Sequence, residues 1–226
     1  LTSNGELLFA KAIVLGEGET EVQALPIFCQ QHWGLTPVES GLSFVDAKGC
    51  GNYYPFVALA EAFQIPWYIF SDGEKDTKKG LKKLLKRTYN EDKELADQNN
   101  IFIISSEKDF EGMLLDDGYK DEIEKAIEQL KGEGYIDEFI RKFNHKPKGR
   151  GQTPNICKSC NQHIFVDIER IYDGEDGRLT ALDDIMEKNK AQLGPVLANC
   201  IIESEKPLPP LVVKLFDGIK KDICHV

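Results

Sequence analysis

Short apolar segments alternate with stretches of helical periodicity over the first half of the chain. The apolar segments are 11–16, 42–45, 66–70 and 101–104. Each is a nearly continuous apolar run, which is typical of strands whose two faces are both covered in a parallel sheet. The stretches with helical spacing lie between them, at 20–33, 56–63 and 77–89. This alternation predicts an α/β fold in which helices flank a parallel sheet on both faces.

The pattern changes near residue 116, after which helical spacing dominates. Apolar residues recur three or four positions apart in 123–130, 136–143, 182–186 and 212–219. Residues 145–163 are instead polar and rich in Gly, Pro, Lys and Asn, which predicts a loop or insertion. We therefore expect an α/β domain over residues 1–115, followed by a mostly helical domain over 116–226 that contains the polar insertion.

Acidic residues follow three of the four predicted strands. These groups lie within 17–21, 72–76 and 107–111. The carboxyl ends of parallel strands share one edge of the sheet, which is where open α/β folds place their sites. Asp72 and Glu74 are two residues apart and would point to the same side of an extended segment. Glu17 and Glu21 are four apart and would share a face at the start of a helix. The sequence thus predicts a cluster of carboxylates at this edge.

Such a cluster is unstable without cations, because neighbouring carboxylates repel each other and one of them takes up a proton. Hard divalent cations remove that cost and prefer oxygen ligands, whereas the three segments contain no His or Cys to suggest zinc. Two such ions can activate a water and stabilise the leaving oxygen of a phosphodiester. The simpler alternative is that the acids are helix caps and solvated loop residues. We assign Glu19, Asp109 and Asp116 to that alternative.

These motifs resemble the Toprim domain, which topoisomerases, bacterial primases, small ribonucleases and the OLD-family (overcoming lysogenization defect) nucleases share. The resemblance rests on Glu17-Gly-Glu-Thr-Glu21 and Asp72-Gly-Glu74, each of which follows an apolar run. The Toprim pattern has one glutamate, matched here by Glu17, and a D-x-D pair, matched by Asp72 and Glu74. The glutamate at the second place departs from that pattern but keeps the charge. Further similarity to the OLD branch lies in 48–52, 107–111 and 190–195.

The resemblance implies a DNA endonuclease that uses two Mg²⁺ or Mn²⁺ ions. The metal ligands that it implies are Glu17, Glu21, Asp72, Glu74, Asp76, Glu107 and Glu111. The catalytic residues that it implies are Glu17, Asp72, Glu74 and Lys190. Lys190 would stabilise charge on the phosphate, although without the resemblance it is better explained as a solvated lysine.

In the OLD family the nuclease region follows an ABC-type ATPase domain. The chain starts at Leu1 rather than at an initiator Met, which we interpret as a fragment of such a longer protein. ATP is expected to bind the ATPase domain and not these residues.

The overall charge argues at first against a nucleic-acid partner, since 28 Lys and Arg face 38 Asp and Glu for a net charge of −10. Acids that ligate metal are neutralised, however, and the basic residues are clustered. On the predicted helix at 77–89, two adjoining basic stripes consist of Lys78, Lys79, Lys82, Lys83, Lys86 and Arg87. Like charges at this spacing destabilise a helix slightly, so a DNA backbone explains them as well as a solvated surface does. A weaker basic patch consists of His145, Lys146, Lys148 and Arg150.

Six cysteines without a secretory signal predict reduced thiols and a cytoplasmic protein, and no apolar run is long enough to span a membrane. Cys157 and Cys160 have the spacing of half a zinc site, with His163 as a third ligand. A closed site needs a fourth ligand, and no second pair at standard spacing follows. Structural zinc and a plain loop therefore stay open as alternatives.

Metal-dependent DNA cleavage is the function that these features favour, and a homodimer would suit the cutting of two strands. Strand passage by a topoisomerase needs a catalytic tyrosine, and no motif marks one among the seven tyrosines. A primase-like polymerase is a second alternative. A non-catalytic scaffold for DNA binding and assembly is a third, although a scaffold gains nothing from so much repulsion among carboxylates.

Overall fold

The computed structural model describes residues 5–156, 160 and 162–223, with the backbone alone for 152–155. Its strands are β1 (Ala12–Gly16), β2 (Leu42–Asp46), β3 (Trp67–Ser71), β4 (Ile101–Ile103), β5 (Pro147–Ile156) and β6 (His163–Glu169). Its α-helices are α1 (Glu19–Trp33), α2 (Pro37–Ser40), α3 (Tyr53–Phe63), α4 (Lys75–Tyr89), α5 (Phe110–Asp116), α6 (Lys120–Lys131), α7 (Tyr135–Phe143), α8 (Gly174–Glu187), α9 (Lys190–Glu203) and α10 (Pro210–Ile223). Short 3₁₀ turns cover Gly5–Phe9, Cys50–Asn52 and Leu95–Asp97.

The first four strands form one parallel sheet in the order β2-β1-β3-β4. Gly16, the last residue of β1, pairs with Asp46 on one side and with Phe70 on the other, so the carboxyl ends of the three strands are level. Every residue of β1 and β3 is buried. The four predicted strands and the α/β fold class are confirmed. The strands are continuous apolar runs because helices cover both faces of a parallel sheet.

The two faces of the sheet are covered by different helices. Val14 and Phe70 belong to a core that includes α1 and the helices from α5 onward. Ile13 and Ile69 belong to a second core with α3 and α4. The chain thus leaves β1 toward one face and β3 toward the other. Between these adjacent strands lies the topological switch point, where α/β sheets form a crevice at their carboxyl edge.

The helical second half shares the first of these cores with the sheet. Leu193, Leu197 and Ile201 of α9 are buried in the same cluster as Leu25 and Phe28 of α1. The two parts share one apolar core. The domain boundary at residue 115 stays a prediction. No helix in the part of the chain that the structure describes is long and apolar enough to cross a membrane.

The prediction of a loop at 145–163 is wrong for much of its length. β5 and β6 form an antiparallel hairpin in which Arg150 lies opposite Asp167, with register irregularities near the ends of β5. The glycines, prolines and polar residues of β5 hide its strand character, whereas β6 carries the β-branched and aromatic residues that favour a strand. The hairpin stays solvated, because Phe165 and Ile168 are 58% and 47% exposed.

We expect Gly194→Ala to lower the free energy of unfolding by about 1–3 kcal/mol, since the added methyl group overpacks the contact between α9 and α1. A Cβ at this position would lie 2.6 Å from the carbonyl oxygen of Thr20, a backbone atom that cannot move alone. Urea denaturation measures the change.

Gly218→Ala is the matched control, because its Cβ would meet only the Phe102 ring, at 3.2 Å. A helical Ala there is expected to be neutral or to stabilise by up to about 1 kcal/mol. Equal effects of the two substitutions would show that α9 has room to move away from α1.

Candidate metal centre

Glu17 follows β1 and is held by donors from three other segments. Its Oε2 accepts hydrogen bonds from Ser71 Oγ at 2.9 Å and from the Asp72 amide at 3.4 Å. Its Oε1 accepts from Thr77 Oγ1 at 3.1 Å and from the Cys50 amide at 3.3 Å. These bonds fix the carboxylate at the switch point between β1 and β3.

Glu21 and Glu111 are the two most deeply buried acids of the segments 17–21, 72–76 and 107–111, and they are 4% and 2% exposed. Glu21 lies in the first turn of α1 and accepts a hydrogen bond from the Gly18 amide. Burial raises its pKa, against the effect of that bond. Glu111 lies in the first turn of α5 and accepts from Thr20 Oγ1 at 2.6 Å. Burial also raises the pKa of Glu111, to about 7, although Lys190 opposes the shift.

Asp72 is half-buried, and the charges of neighbouring carboxylates change its pKa. Its pKa is raised to about 8, first by burial and then by the charges of Glu21, Glu17, Asp109 and Glu111. A carboxyl group with this pKa is largely protonated at neutral pH. The structure therefore brings five carboxyl groups from the ends of β1, β3 and β4 into one electrostatic unit.

One lysine enters this group from the second half of the chain. Lys190 is the first residue of α9, and its Nζ lies 3.5 Å from Asp109 Oδ2 and 3.9 Å from Glu111 Oε2. Burial lowers the pKa of this ammonium group, but Glu111, Asp109 and Asp72 outweigh burial and raise it overall. Lys190 is thus a fixed positive charge beside the carboxylates.

Residues 8–73 match the family model for the Toprim domain of overcoming lysogenization defect protein-like proteins. Residues 8–73 therefore carry the pattern of an OLD-like Toprim domain. Such a domain indicates a function on nucleic acids, of the nuclease or primase type. No curated protein sequence matches the chain.

Solved structures of OLD proteins have the same fold as this chain. The C-terminal region of the Xanthomonas campestris pv. campestris OLD protein, phased with platinum, superposes with a TM-score of 0.65 at 18% identity, covering 98% of this chain and 97% of that one. The C-terminal region of the Burkholderia pseudomallei OLD protein gives 0.60 at 16% identity, covering 95% and 99%. The likeness therefore extends beyond residues 8–73 to the appended helices, and it concerns the fold.

Three acids predicted as ligands of the OLD-like site lie outside the buried group. Glu74 is exposed at the N-cap position of α4. Asp76 is exposed and pairs with Lys79 at 2.9 Å. Glu107 is also exposed, with its Oε1 3.2 Å from the Nζ of Lys75. Their assignment as ligands stays a prediction. As the side chains stand, no three His, Cys, Asp or Glu among the described residues are close enough to hold a metal ion together.

Asp109 was assigned by sequence to helix capping, and it does cap α5 by accepting a hydrogen bond from the Gly112 amide at 2.9 Å. Its negative charge also raises the pKa of Asp72, and its carboxylate pairs with Lys190. The two roles are compatible, because a cap at the carboxyl edge of a sheet also faces the crevice. The hydroxyl groups of Thr20 and Thr77 were missed because their carboxylate partners are distant in sequence.

The predicted basic helix forms as α4, with Leu81, Leu84 and Leu85 buried. Several of its lysines have acidic partners that lie outside the basic run. Lys82 pairs with Glu94 at 2.9 Å and Lys86 with Asp92 at 3.1 Å. Exposed pairs of this kind contribute little to stability, so the surface keeps cations that a polyanion can recruit. Cys157 lies outside the described residues and Cys160 is exposed; zinc binding with His163 stays a prediction.

The raised pKa of Asp72 predicts a pH-dependent stability in the metal-free protein. The folded state keeps the proton that the unfolded state releases near pH 3.8, so stability falls as pH rises from about 4 to about 8. Asp72→Asn removes the part of this dependence that Asp72 contributes, whereas the raised pKa values of Glu21 and Glu111 keep theirs. Urea denaturation in EDTA across this range should show that the free energy of unfolding of the variant increases relative to that of the wild type as pH rises.

Asp76→Asn serves as the comparison, because the hydrogen bond and charge of Lys79 hold the pKa of this exposed acid below its ordinary value. Asp76 stays ionised throughout the upper part of the range, so its variant should run parallel to the wild type. Parallel curves for Asp72→Asn as well would mean that Asp72 ionises normally in the folded protein.

Proposed function

We propose that this chain is a divalent-metal-dependent endonuclease that hydrolyses phosphodiester bonds of DNA. The observation that supports it best is the position of Asp72, which lies among four other carboxyl groups with a pKa of about 8. Structural acids are seldom gathered in this way, whereas a site for hard cations requires it. The Toprim domain of the OLD family supports the same class of function.

The donor set fits Mg²⁺ or Mn²⁺, because the groups that converge are carboxylate oxygens. Glu17, Glu21, Asp72 and Glu111 would hold the ions, together with Asp109. The sequence adds Glu74, Asp76 and Glu107 as ligands at the rim. Bound dications would supply a nucleophilic water and would stabilise the leaving oxygen of the phosphodiester. Cation binding would also return the pKa of Asp72 toward its ordinary range, so metal affinity should rise with pH.

The side chains of the protein have three tasks in this mechanism. Ser71 and Thr77 orient the carboxylate of Glu17 through the hydrogen bonds given above, so that its geometry is set before substrate arrives. Lys190 lies beside the carboxylates as the charge that would face the non-bridging phosphate oxygens, where negative charge grows in the transition state. The basic surface of α4, which begins three residues after Asp72, would bind the DNA backbone.

We place this activity within a longer, ATP-dependent protein. The related structures are C-terminal regions of OLD proteins, and in that family an ABC-type ATPase domain precedes the nuclease. ATP would act through that domain. A homodimer of the longer protein would bring two such sites to the two strands of a duplex.

Incubation of the chain with supercoiled plasmid and Mg²⁺ or Mn²⁺ is expected to give nicked or linear DNA, and EDTA should abolish the reaction. Glu17→Gln should lower the rate by about 10²-fold or more, since it removes the charge of the central carboxylate. Glu19→Gln is the matched control, because Glu19 is exposed two residues away. Gel electrophoresis of the plasmid follows the reaction.

Other products would identify the alternatives. Metal-independent DNA binding without hydrolysis would indicate a scaffold. A covalent protein–DNA intermediate would indicate strand passage, and incorporation of nucleotides would indicate a primase. Each of these results contradicts the endonuclease proposal.

Lys190→Met is expected to lower kcat by about 10²–10³-fold with little change in KM, because the interaction strengthens only as charge develops on the phosphate. Lys214→Met on the exposed surface of α10 is the control. Steady-state cleavage of a short labelled DNA measures both constants. A change confined to KM would assign Lys190 to substrate binding instead.

A further inference from the structure

A pocket lies between α4 and the segment that leads into α3, and we call it the Tyr54 pocket. Its lining includes Cys50, Tyr54, Lys79, Gly80, Lys83 and Arg87. It encloses about 420 Å³, which is within the range of about 300–1,000 Å³ typical of small-ligand sites.

The charge of the pocket is positive. Lys79, Lys83 and Arg87 follow each other at four-residue spacing and form one stripe of α4. Asp76, the acid in the lining, pairs with Lys79 at 2.9 Å. Three cations and one carboxylate leave an excess of two positive charges, which suits a phosphate group.

The pocket also contains an aromatic surface. Tyr54 is half-buried against the core formed with α3 and α4, and the guanidinium group of Arg87 lies over its ring, with Cζ 3.5 Å from the ring centroid. The outer surface of this stacked pair is therefore the guanidinium plane of Arg87. Tyrosine rings and guanidinium planes are both surfaces on which nucleobases stack. A base inside a duplex is already stacked on its neighbours and does not present its face to a protein.

Cys50 connects the Tyr54 pocket to the carboxylates. Its amide donates to Glu17 Oε1 at 3.3 Å, while its side chain lines the pocket. A strand whose phosphate lies at Glu17 would therefore carry its adjoining nucleotide toward Tyr54.

We propose that the Tyr54 pocket binds an unpaired nucleotide next to the scissile phosphate, with its base stacked on the Arg87 guanidinium that Tyr54 supports and its phosphate between Lys79 and Lys83. The inference rests on the proposed function and gives its substrate class: single-stranded DNA, or duplex DNA with unpaired bases at the point of cleavage. Duplex DNA without unpaired bases would place phosphates on the basic stripe but would offer no base face to the guanidinium of Arg87.

The test is fluorescence anisotropy in EDTA, with a short fluorescein-labelled single strand and with the same strand in a blunt duplex. The wild type should bind the single strand more tightly than the duplex. Tyr54→Leu keeps an apolar side chain but removes the ring on which the Arg87 guanidinium lies, and it should weaken single-strand binding about five-fold or more. Duplex binding should change little.

Tyr89→Leu is the matched control, because Tyr89 is a half-buried tyrosine of α4 with Lys93 Nζ 3.9 Å from its ring centroid, outside the pocket. It should leave the single-strand preference unchanged. Arg87→Gln provides a second variant, since Arg87 is exposed and its loss does not disturb the core. It should also weaken single-strand binding.

Two outcomes overturn the inference: equal loss of affinity in the Tyr54 and Tyr89 variants, or no preference of the wild type for the single strand. Either result leaves the endonuclease proposal intact if the plasmid is still hydrolysed. Conversely, a preference for single strands that depends on Tyr54, in a chain that cleaves no DNA, would support the pocket and remove the proposed function.

Discussion

Repulsion among carboxylates at the carboxyl edge of the sheet is the constraint on which the site depends. β1 and β3 are neighbours, but the chain leaves them toward opposite faces. The residues that follow the two strands therefore converge in a crevice while their helices diverge. Asp72 shows the consequence, because it is half-buried among other acids and its pKa is about 8. A divalent cation is the partner that would let these groups be ionised together.

The sequence predicts the parts of this arrangement that depend on one-dimensional patterns. The four strands follow from continuous apolar runs, and the buried side of α4 follows from Leu81, Leu84 and Leu85 at helical spacing. The acids after each strand are then placed at one edge by topology alone. The hairpin of β5 and β6 escaped prediction because β5 contains two glycines and two prolines among mostly polar residues, so its strand character comes from its partner.

Which acids face inward could not be predicted, because loop residues take their directions from tertiary contacts. Glu111 is buried and bonded to Thr20, whereas Glu107, four residues earlier, is exposed and pairs with Lys75. Spacing alone makes the two acids equivalent. Asp109 lies between them and combines capping of α5 with a charge beside Lys190. Whether an acid of this segment is buried or exposed follows from the hydrogen-bond donor or lysine that it contacts.

The contact between α9 and α1 explains why the appended helices matter for the site. Gly194 lets the two helices approach until a Cβ would lie 2.6 Å from the carbonyl oxygen of Thr20. That approach also puts the Lys190 carbonyl oxygen 3.4 Å from Thr20 Oγ1, and Thr20 in turn holds Glu111. Lys190 is thus positioned by the packing of two backbones rather than by its own loop. Lys190, from the helical second half of the chain, therefore adds its positive charge to the sheet edge that the first half forms.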